Sequence, residues 1–450
     1  VTERKKQILI LGAGFAGLNT ALQLEKALGE DAPAEVTLID RNHFHLFTPL
    51  LHEAATGVIP AGLILTPIRR VLKETRFSFL RARVQAIDLE RQTVALCCED
   101  KAYDILVIAL GSVTNFYGMD SIREKALEIK YASDVERIRC HVINRLEAAT
   151  REQDARLRER LLTFAVVGGG CTGVETVTEI REFLMHIRKE QYPSIPSEEV
   201  RTVLVEVDDR VLPQMDRTLS RTALRRMKKM GIEPMLSTRV TDFTEVGLIF
   251  DGGREPLPTD TVIWAAGVRA EPVLEAMPVE KDRMGRIMVD SDLSVPGVPN
   301  VYVVGDAAHA HQPETREIYP PTAQVAYRQA PIVAHNIAAD VQGDEHKDFD
   351  FTYIGDLVSL GQLSGVADPF GIKLRGLAAW GMWKFYYLLS LVGWQNRLRV
   401  AINWLLALLF PSNSALAHEC APGCMEELCM LRESSWETGW EPGRTIASQR

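Results

Sequence analysis

The chain has 450 residues, 46% of them apolar and 25% charged, with 31 Gly and 22 Pro. That is ample for a packed core, too charged for a polytopic membrane protein and too apolar for a disordered chain. By the prior of roughly 150 residues per domain, two or three domains are expected. A formal charge of −9 argues against a protein that wraps nucleic acid through bulk positive charge.

In the opening VTERKKQILILGAG a short basic tail runs straight into a strand over 7–11, with no cleavable apolar segment. The seven cysteines are odd in number and scattered, so a reduced, intracellular setting is expected. The strand ends in Gly12-Ala13-Gly14-Phe15-Ala16-Gly17, followed by the helical pattern LNTALQLEKAL and a second strand, EVTLID, ending at Asp40. In such a unit the first glycine permits a tight turn and the second lets backbone approach a pyrophosphate. The third lets helix pack on strand. Asp40 stands 23 residues after Gly17, close to the spacing of roughly 20 at which a carboxylate accepts the ribose hydroxyls of an adenosine.

The unit recurs. LLTFAVVGGGCTGVETVTEIREFL supplies a strand, Gly168, Gly170 and Gly173, then a helix, and RTVLVEVDD supplies a second strand carrying Glu206. Its glycine-to-acid spacing of 33 is longer, and Pro193 and Pro196 place a loop in the helix-to-strand connection. Two further apolar strands end in small-residue turns, YDILVIALGS at 103–112 with Gly111 and DTVIWAAGV at 260–268 with Gly267. A third, NVYVVGDAA at 300–308, sets Asp306 at a strand end just before a helix start, where a carboxylate can hold a polyol chain such as ribityl.

Tyr319-Pro320-Pro321-Thr322-Ala323-Gln324 then opens a helical pattern that Pro331 is expected to kink or divide. The positive end of that helix suits the pyrimidine edge of a flavin. Gln324 and Arg328, four apart on one face, are candidates for flanking the place where a second substrate meets the ring.

From Gly376 to Phe410 the chain carries four of its seven tryptophans, Trp380, Trp383, Trp394 and Trp404. The longest uncharged stretches, 385–396 and 400–410, fall short of the ~20 residues needed to cross a bilayer. Between Asp368 and Glu419 there are five basic residues and no acid. Apolar and aromatic faces with basic residues are the composition of amphipathic helices lying on an anionic membrane; a core or dimer-forming hairpin is the alternative. Deleting 376–410 is therefore expected to release the chain from vesicles and leave its redox half-reaction intact. Cys420, Cys424 and Cys429, after His418, fit one helical face as well as zinc spacings; buried thiols are the preferred reading, and no metal site is assigned.

Together these features imply an α/β chain with two Rossmann-like dinucleotide-binding domains. An FAD domain over 1–119 and 296–350, completed by the late Asp306 strand, is interrupted by an NAD domain over 120–295. A membrane-associating helical region follows over 351–450. Hydride transfer from nicotinamide to flavin needs positioning and exclusion of water more than an acid or base. Glu206 would accept ribose hydroxyls and repel a 2′-phosphate, favouring NADH over NADPH.

LGAGFAGL, HLFTPLLHEAATG, YDILVIALGS, VVGGGCTGVETVTEI, WAAGV, VYVVGDAA, PPTAQVAYRQA and the tryptophan-rich basic end resemble the type II, non-proton-pumping NADH:quinone oxidoreductases over about 7–410. The resemblance implies FAD held by Gly14, Ala16, Gly17, Asp40, Thr48, Gly111, Asp306 and Ala323, with Gly12 in the same turn. It implies NADH on Gly170, Gly173, Glu175, Glu206 and Gly267, with Gly168 opening that turn. Glu175 is then expected beside nicotinamide and flavin, and Gln324 at the quinone end. The implied partners are a membrane quinone and the anionic lipid surface, in a peripheral enzyme on the cytoplasmic face of the cell membrane, with a homodimer as a further expectation. The chain departs from the family in Cys171, where proline is common, in Arg328, where glutamine is common, and in His52-Glu53, where tyrosine-glutamine is more frequent. A sulfide:quinone oxidoreductase would need a cysteine pair beside the flavin, and a flavin-binding redox sensor would show slow turnover at any acceptor. Soluble disulfide reductases are excluded because residues 41–96 contain no cysteine.

Overall fold

The computed structural model describes residues 4–29 and 32–410; the cysteines at 420, 424 and 429 lie outside the described residues. Two parallel sheets organise the molecule. The first runs in the order Ser294–Val295, Val298–Val303, Ile105–Ile108, Lys6–Leu11, Ala34–Asp40 and Ser78–Arg81, every pairing parallel except that of the outermost strand, Ser294–Val295. Its central strands are continuous apolar runs: Ile8, Leu9, Ile10 and Leu11 are all buried, as are Ile105 to Ile108. Strands covered on both faces need no polar alternation. The helices Phe15–Leu28 and Ala323–Gln342 pack against one another beside this sheet, joined in one apolar cluster.

The second sheet, Leu127–Glu128, Thr261–Trp264, Thr163–Val167, Arg201–Val205 and Ile232–Met235, is parallel throughout. The long spacing before Glu206 reflects a 21-residue helix, Cys171–Gln191, and a loop that contains both prolines. The short strands Ser112–Thr114 and Val268–Ala270 pair antiparallel, tying the turn after one sheet to the turn after the other.

Two expectations change. The helix Ala323–Gln342 is not divided at Pro331, and Asp306 lies within a single tight turn, Gly305–Ala307, that leads into the short strand Ala308–His309 rather than into a helix. Thr322 caps the helix through Val325 N.

The chain then forms a three-stranded antiparallel sheet, Leu357–Ser359, Gly365–Ala367 and Leu374–Arg375, on which the helix Leu377–Ser390 packs. Gly393, with φ +86°, turns the chain into the helix Trp394–Leu409. This second helix buries only Val400 and Trp404. Phe385, Leu389, Trp394, Leu398, Leu405 and Leu409 are all exposed across the pair. No helix among the described residues is long and apolar enough to cross a membrane. The hairpin is not a detachable appendage, however. Trp383 is fully buried and joins the core around the Cys171–Gln191 helix, so deletion of 376–410 would open that core.

Candidate active site

A cavity of about 830 Å³ lies at the carboxyl end of the first sheet and gathers twelve of the residues singled out from sequence: Gly12, Gly14, Ala16, Asp40, Thr48, Gly111, Glu175, Gly267, Asp306, Ala323, Gln324 and Arg328. Asp40 closes one end. Its carboxylate accepts Ala13 N–H and Asn42 N–H, both at 2.7 Å, which leaves each oxygen a further lone pair. Burial raises its pKa, and these two backbone bonds oppose that rise. At Asp306, Ser112 Oγ donates to Oδ2 at 2.6 Å and is itself held by Lys130 Nζ at 2.8 Å. Gln329, buried and adjacent to Arg328, accepts Gly305 N–H at 2.6 Å and so fixes the turn that carries Asp306.

At the other end Gln324 accepts Ile354 N–H at 3.1 Å. Arg328 is exposed, with its guanidinium 5.3 Å from the centre of the Phe351 ring. Tyr386, Tyr387, Leu389 and Ser390 of the Leu377–Ser390 helix complete the wall there.

Gly17 lies behind the cavity as a packing residue. A Cβ there would sit 1.9 Å from Gly12 O, and one at Gly173 would sit 1.8 Å from Gly168 O. Both helices therefore touch the strand before them closely enough that only hydrogen fits. Gly168, Gly170, Gly173 and Glu206 do not line this cavity; they form the corresponding turn of the second sheet. Glu206, buried, accepts Gly169 N–H and Asp208 N–H, repeating the arrangement of Asp40.

Glu175 joins the two motifs: it lies on the second motif's helix and in the cavity wall. Its Oε1 accepts Ser359 N–H at 3.0 Å and the indole N–H of Trp383 at 2.7 Å. Burial pushes its pKa up to about 8, against those two bonds. The Glu175 carboxyl is thus protonated near neutral pH, a proton held at a cavity wall. His52 Nδ1 is 3.9 Å from Glu175 Oε2, and burial lowers that ring to about 4, so it is neutral. Glu53, also buried, accepts Lys384 Nζ on one oxygen and Trp404 Nε1 on the other, the latter at 2.6 Å. Donor atoms of His52, Glu53 and Glu179 lie within 4.8 Å of one another, and Lys384 brings the cation to this cluster. Glu53, Lys384, Trp383, Trp404 and Gln329 were not singled out from sequence as site residues. The signal was present in the HEAATG departure and the tryptophan density, but it does not reveal pairing across the chain.

Cys171 lines the cavity, where burial raises its thiol pKa and Gln214 Nε2 approaches Sγ at 2.8 Å. Among the described residues it is the only cysteine in that wall, with Cys97 and Cys98 exposed elsewhere.

Residues 6–330 match the family described as pyridine nucleotide-disulphide oxidoreductase, and 353–411 match the NDH2 C-terminal domain. The chain is 34% identical over 421 residues to the type II NADH:quinone oxidoreductase Ndh of Mycobacterium tuberculosis, covering 90% of this chain and 89% of that one. It is 31% identical over 383 residues to the type II NADH:quinone oxidoreductase of Staphylococcus aureus, covering 84% and 93%. In fold it superposes on NDH2 from Plasmodium falciparum in complex with NADH, with a TM-score of 0.82 at 21% identity over 92% of this chain and all of that one. A sulfide:quinone oxidoreductase from Aquifex aeolicus shares the fold less closely, with a TM-score of 0.70 at 18% identity over 91% and 96%. The family match over most of the chain, the C-terminal match and the two full-length relatives agree: this chain belongs to the type II NADH:quinone oxidoreductases, within the pyridine nucleotide-disulphide oxidoreductase superfamily.

Proposed function

We propose that this type II NADH:quinone oxidoreductase holds FAD in the 830 Å³ cavity, takes NADH on the second glycine motif and passes two electrons to a quinone reached from the lipid side, without pumping protons. The observation that carries this reading is the continuity of one cavity, which runs from Asp40 to Tyr386–Ser390 of the outward-facing hairpin and has Glu175 of the second motif in its wall. Donor motif, carrier cavity and apolar exit meet there.

The cavity suits FAD on its own features. The Phe15–Leu28 helix begins at Gly14 with no side-chain cap, and a Cβ at Gly14 or Gly111 would meet nothing within 4 Å. Free N–H groups and open approach are what a pyrophosphate needs. Asp40 would accept adenosine ribose hydroxyls, Asp306 the ribityl chain, and the capped Ala323 end would face the ring. Bound FAD supplies the two-electron carrier. The chain's own part is to align NADH through Gly170, Gly173 and Glu206, to exclude water around Gly267 and Glu175, and to hold a proton on Glu175. Gln324 would orient the quinone, with Arg328 at the rim.

The domain assignment follows from the same reading, with FAD on 1–119 and 296–350 and NADH on 120–295. The exposed apolar face and basic residues of the hairpin support peripheral attachment to an anionic lipid surface, at the cytoplasmic face of the cell membrane, with a homodimer as the assembly to test. A sulfide chemistry would need a second sulfur beside Cys171, and none lines the cavity among the described residues.

The test is anaerobic. One equivalent of NADH should bleach the bound flavin, and a short-chain quinone should restore it. Absence of bleaching would overturn the reading; bleaching without recovery would remove its quinone half.

A further inference from the structure

The two C-terminal helices that present an apolar face outward each send one indole N–H inward to a buried carboxyl. Trp383 donates to Glu175 at 2.7 Å, and Trp404 donates to Glu53 at 2.6 Å. Lys384, the residue after Trp383, donates to the second oxygen of Glu53. Its ammonium lies 4.1 Å from the Trp404 ring centre, 5.1 Å from Trp383 and 5.5 Å from Trp380. The hairpin is thus fastened to Glu175 and Glu53 by three directed hydrogen bonds, with Lys384 also set over the indole rings, rather than by apolar packing alone.

We propose that Trp383 is a positioning residue for the reaction: its indole N–H fixes the Glu175 carboxyl against the cavity, and the membrane-facing hairpin is thereby part of the acid–base site. The proposal rests on the reading of Glu175 as the acid at that cavity. An indole can only donate, so it favours the carboxylate over the acid. Burial acts the other way, as do the negative charges of Glu53 and Asp356. The groups facing Glu175 come from every element around it: His52 and Glu53 from Leu51–Ala55, Glu179 from its own helix, Asp356 and Ser359 from the preceding strand region, and Trp383, Lys384 and Tyr387 from the Leu377–Ser390 helix. Cys171 and Tyr387 remain neutral through burial, and His52 is neutral as well. Trp383 is therefore the one side-chain donor that bonds Glu175 directly among the described residues.

The direct readout is the pH-dependent carboxylic acid C=O infrared band of the full-length flavoprotein, assigned by its loss in Glu175→Gln. In the parent protein the band should titrate near the value that burial imposes, about 8. In Trp383→Phe, which keeps the ring and loses the N–H, the midpoint should rise by about one pH unit or more. Trp404→Phe, which removes one of the hairpin's two bonds to Glu53 and leaves the Lys384 and Trp383 bonds, should raise it less. An unchanged midpoint in Trp383→Phe overturns the proposal, and so does an equal rise in both variants, which would mark general loosening. Absence of any band lost with Glu175→Gln overturns it as well. Should Trp383→Phe not fold, the parent protein supplies the test: one indole N–H resonance should follow the Glu175 midpoint and stop moving in Glu175→Gln. No such resonance is the refuting result. None of these readouts requires quinone turnover, so a failed quinone assignment would be seen separately, in the anaerobic reoxidation.

Discussion

Replacing Gly173 by alanine should separate the two nucleotide sites. The added Cβ would lie 1.8 Å from Gly168 O, where real contacts stay beyond 3.0 Å, so the Cys171–Gln191 helix must retreat from its strand by about 1.2 Å. Gly168 O belongs to backbone and cannot rotate away, and overpacking of this kind costs roughly 1–3 kcal/mol. The retreat moves the helix start that NADH would approach and carries Glu175, two residues on, away from the cavity. A misplacement of about 1 Å at a hydride-transfer site lowers the rate by roughly 10²-fold. Gly173→Ala should purify with its flavin, measured by absorbance at one per chain, while kcat/KM for NADH falls by about 10²-fold. Gly17→Ala, with the equivalent clash of 1.9 Å at Gly12 O, should instead purify depleted of flavin. If Gly173→Ala loses flavin and Gly17→Ala keeps it, the assignment of the motifs is reversed. If Gly173→Ala keeps both flavin and NADH turnover, the steric argument itself fails.

Three further outcomes can be checked. Glu206→Gln removes the charge that would face a 2′-phosphate while leaving an oxygen to accept Gly169 or Asp208 N–H; the ratio of kcat/KM for NADH over NADPH should fall by about tenfold or more, and an unaltered ratio removes its role. Phe385→Asp with Leu405→Asp charges two exposed positions, 63% and 60% accessible; co-sedimentation with anionic vesicles should drop at least about tenfold with NADH bleaching retained, since each apolar side chain contributes about 1.5–3 kcal/mol when buried, and unchanged sedimentation would refute the lipid face. His346 lies between Asp292 and Asp340, 2.9 Å from each, and although partial burial opposes its charge, the two carboxylates raise its pKa overall. Its stabilising effect should be complete below the ordinary histidine value of 6.5 and decline as pH rises through the raised value. The urea midpoints of parent and His346→Gln should therefore differ most near pH 6 and converge at higher pH; a gap that widens with pH would contradict the sign.

The sheets and their glycine turns were legible because the information is local. Short apolar runs such as QILIL and TFAVV, each ended by a glycine turn, are too short for a helix and suit strands covered on both faces, and the glycines after them mark where backbone passes close to backbone. Asp40 and Glu206 were legible for the same reason: Asp40 ends, and Glu206 directly follows, the strand that the preceding helix delivers. Pro331 does not divide its helix, whose residues Ala330, Val333 and Ala334 are all buried on either side of it. The acid cluster was not legible at all. Glu53 meets Lys384 and Trp404 from 331 and 351 positions away, and no periodicity marks a partner at that distance.

The tryptophans show why composition pointed in only one direction. Read as a stripe with basic neighbours, all four suit a lipid interface, yet Trp394 is 70% exposed while Trp383 is fully buried and Trp404 nearly so. An indole is apolar over most of its area and carries one donor that must be satisfied when water is excluded. Two buried indoles each need an acceptor, and here the acceptors are the carboxyls of Glu53 and Glu175. The departure to Glu53 and the aromatic density of the hairpin are thus two halves of one arrangement. The lysine that a surface reading assigns to phospholipid, Lys384, is only 13% exposed and bonded to Glu53. Of the five basic residues between Asp368 and Glu419, Lys373 is likewise paired, with Asp216 at 2.7 Å, so only Arg375, Arg397 and Arg399 carry no acidic partner among the described residues, and Lys384 holds the hairpin to the interior. The hairpin therefore cannot loosen without disturbing the carboxyl that borders the cavity.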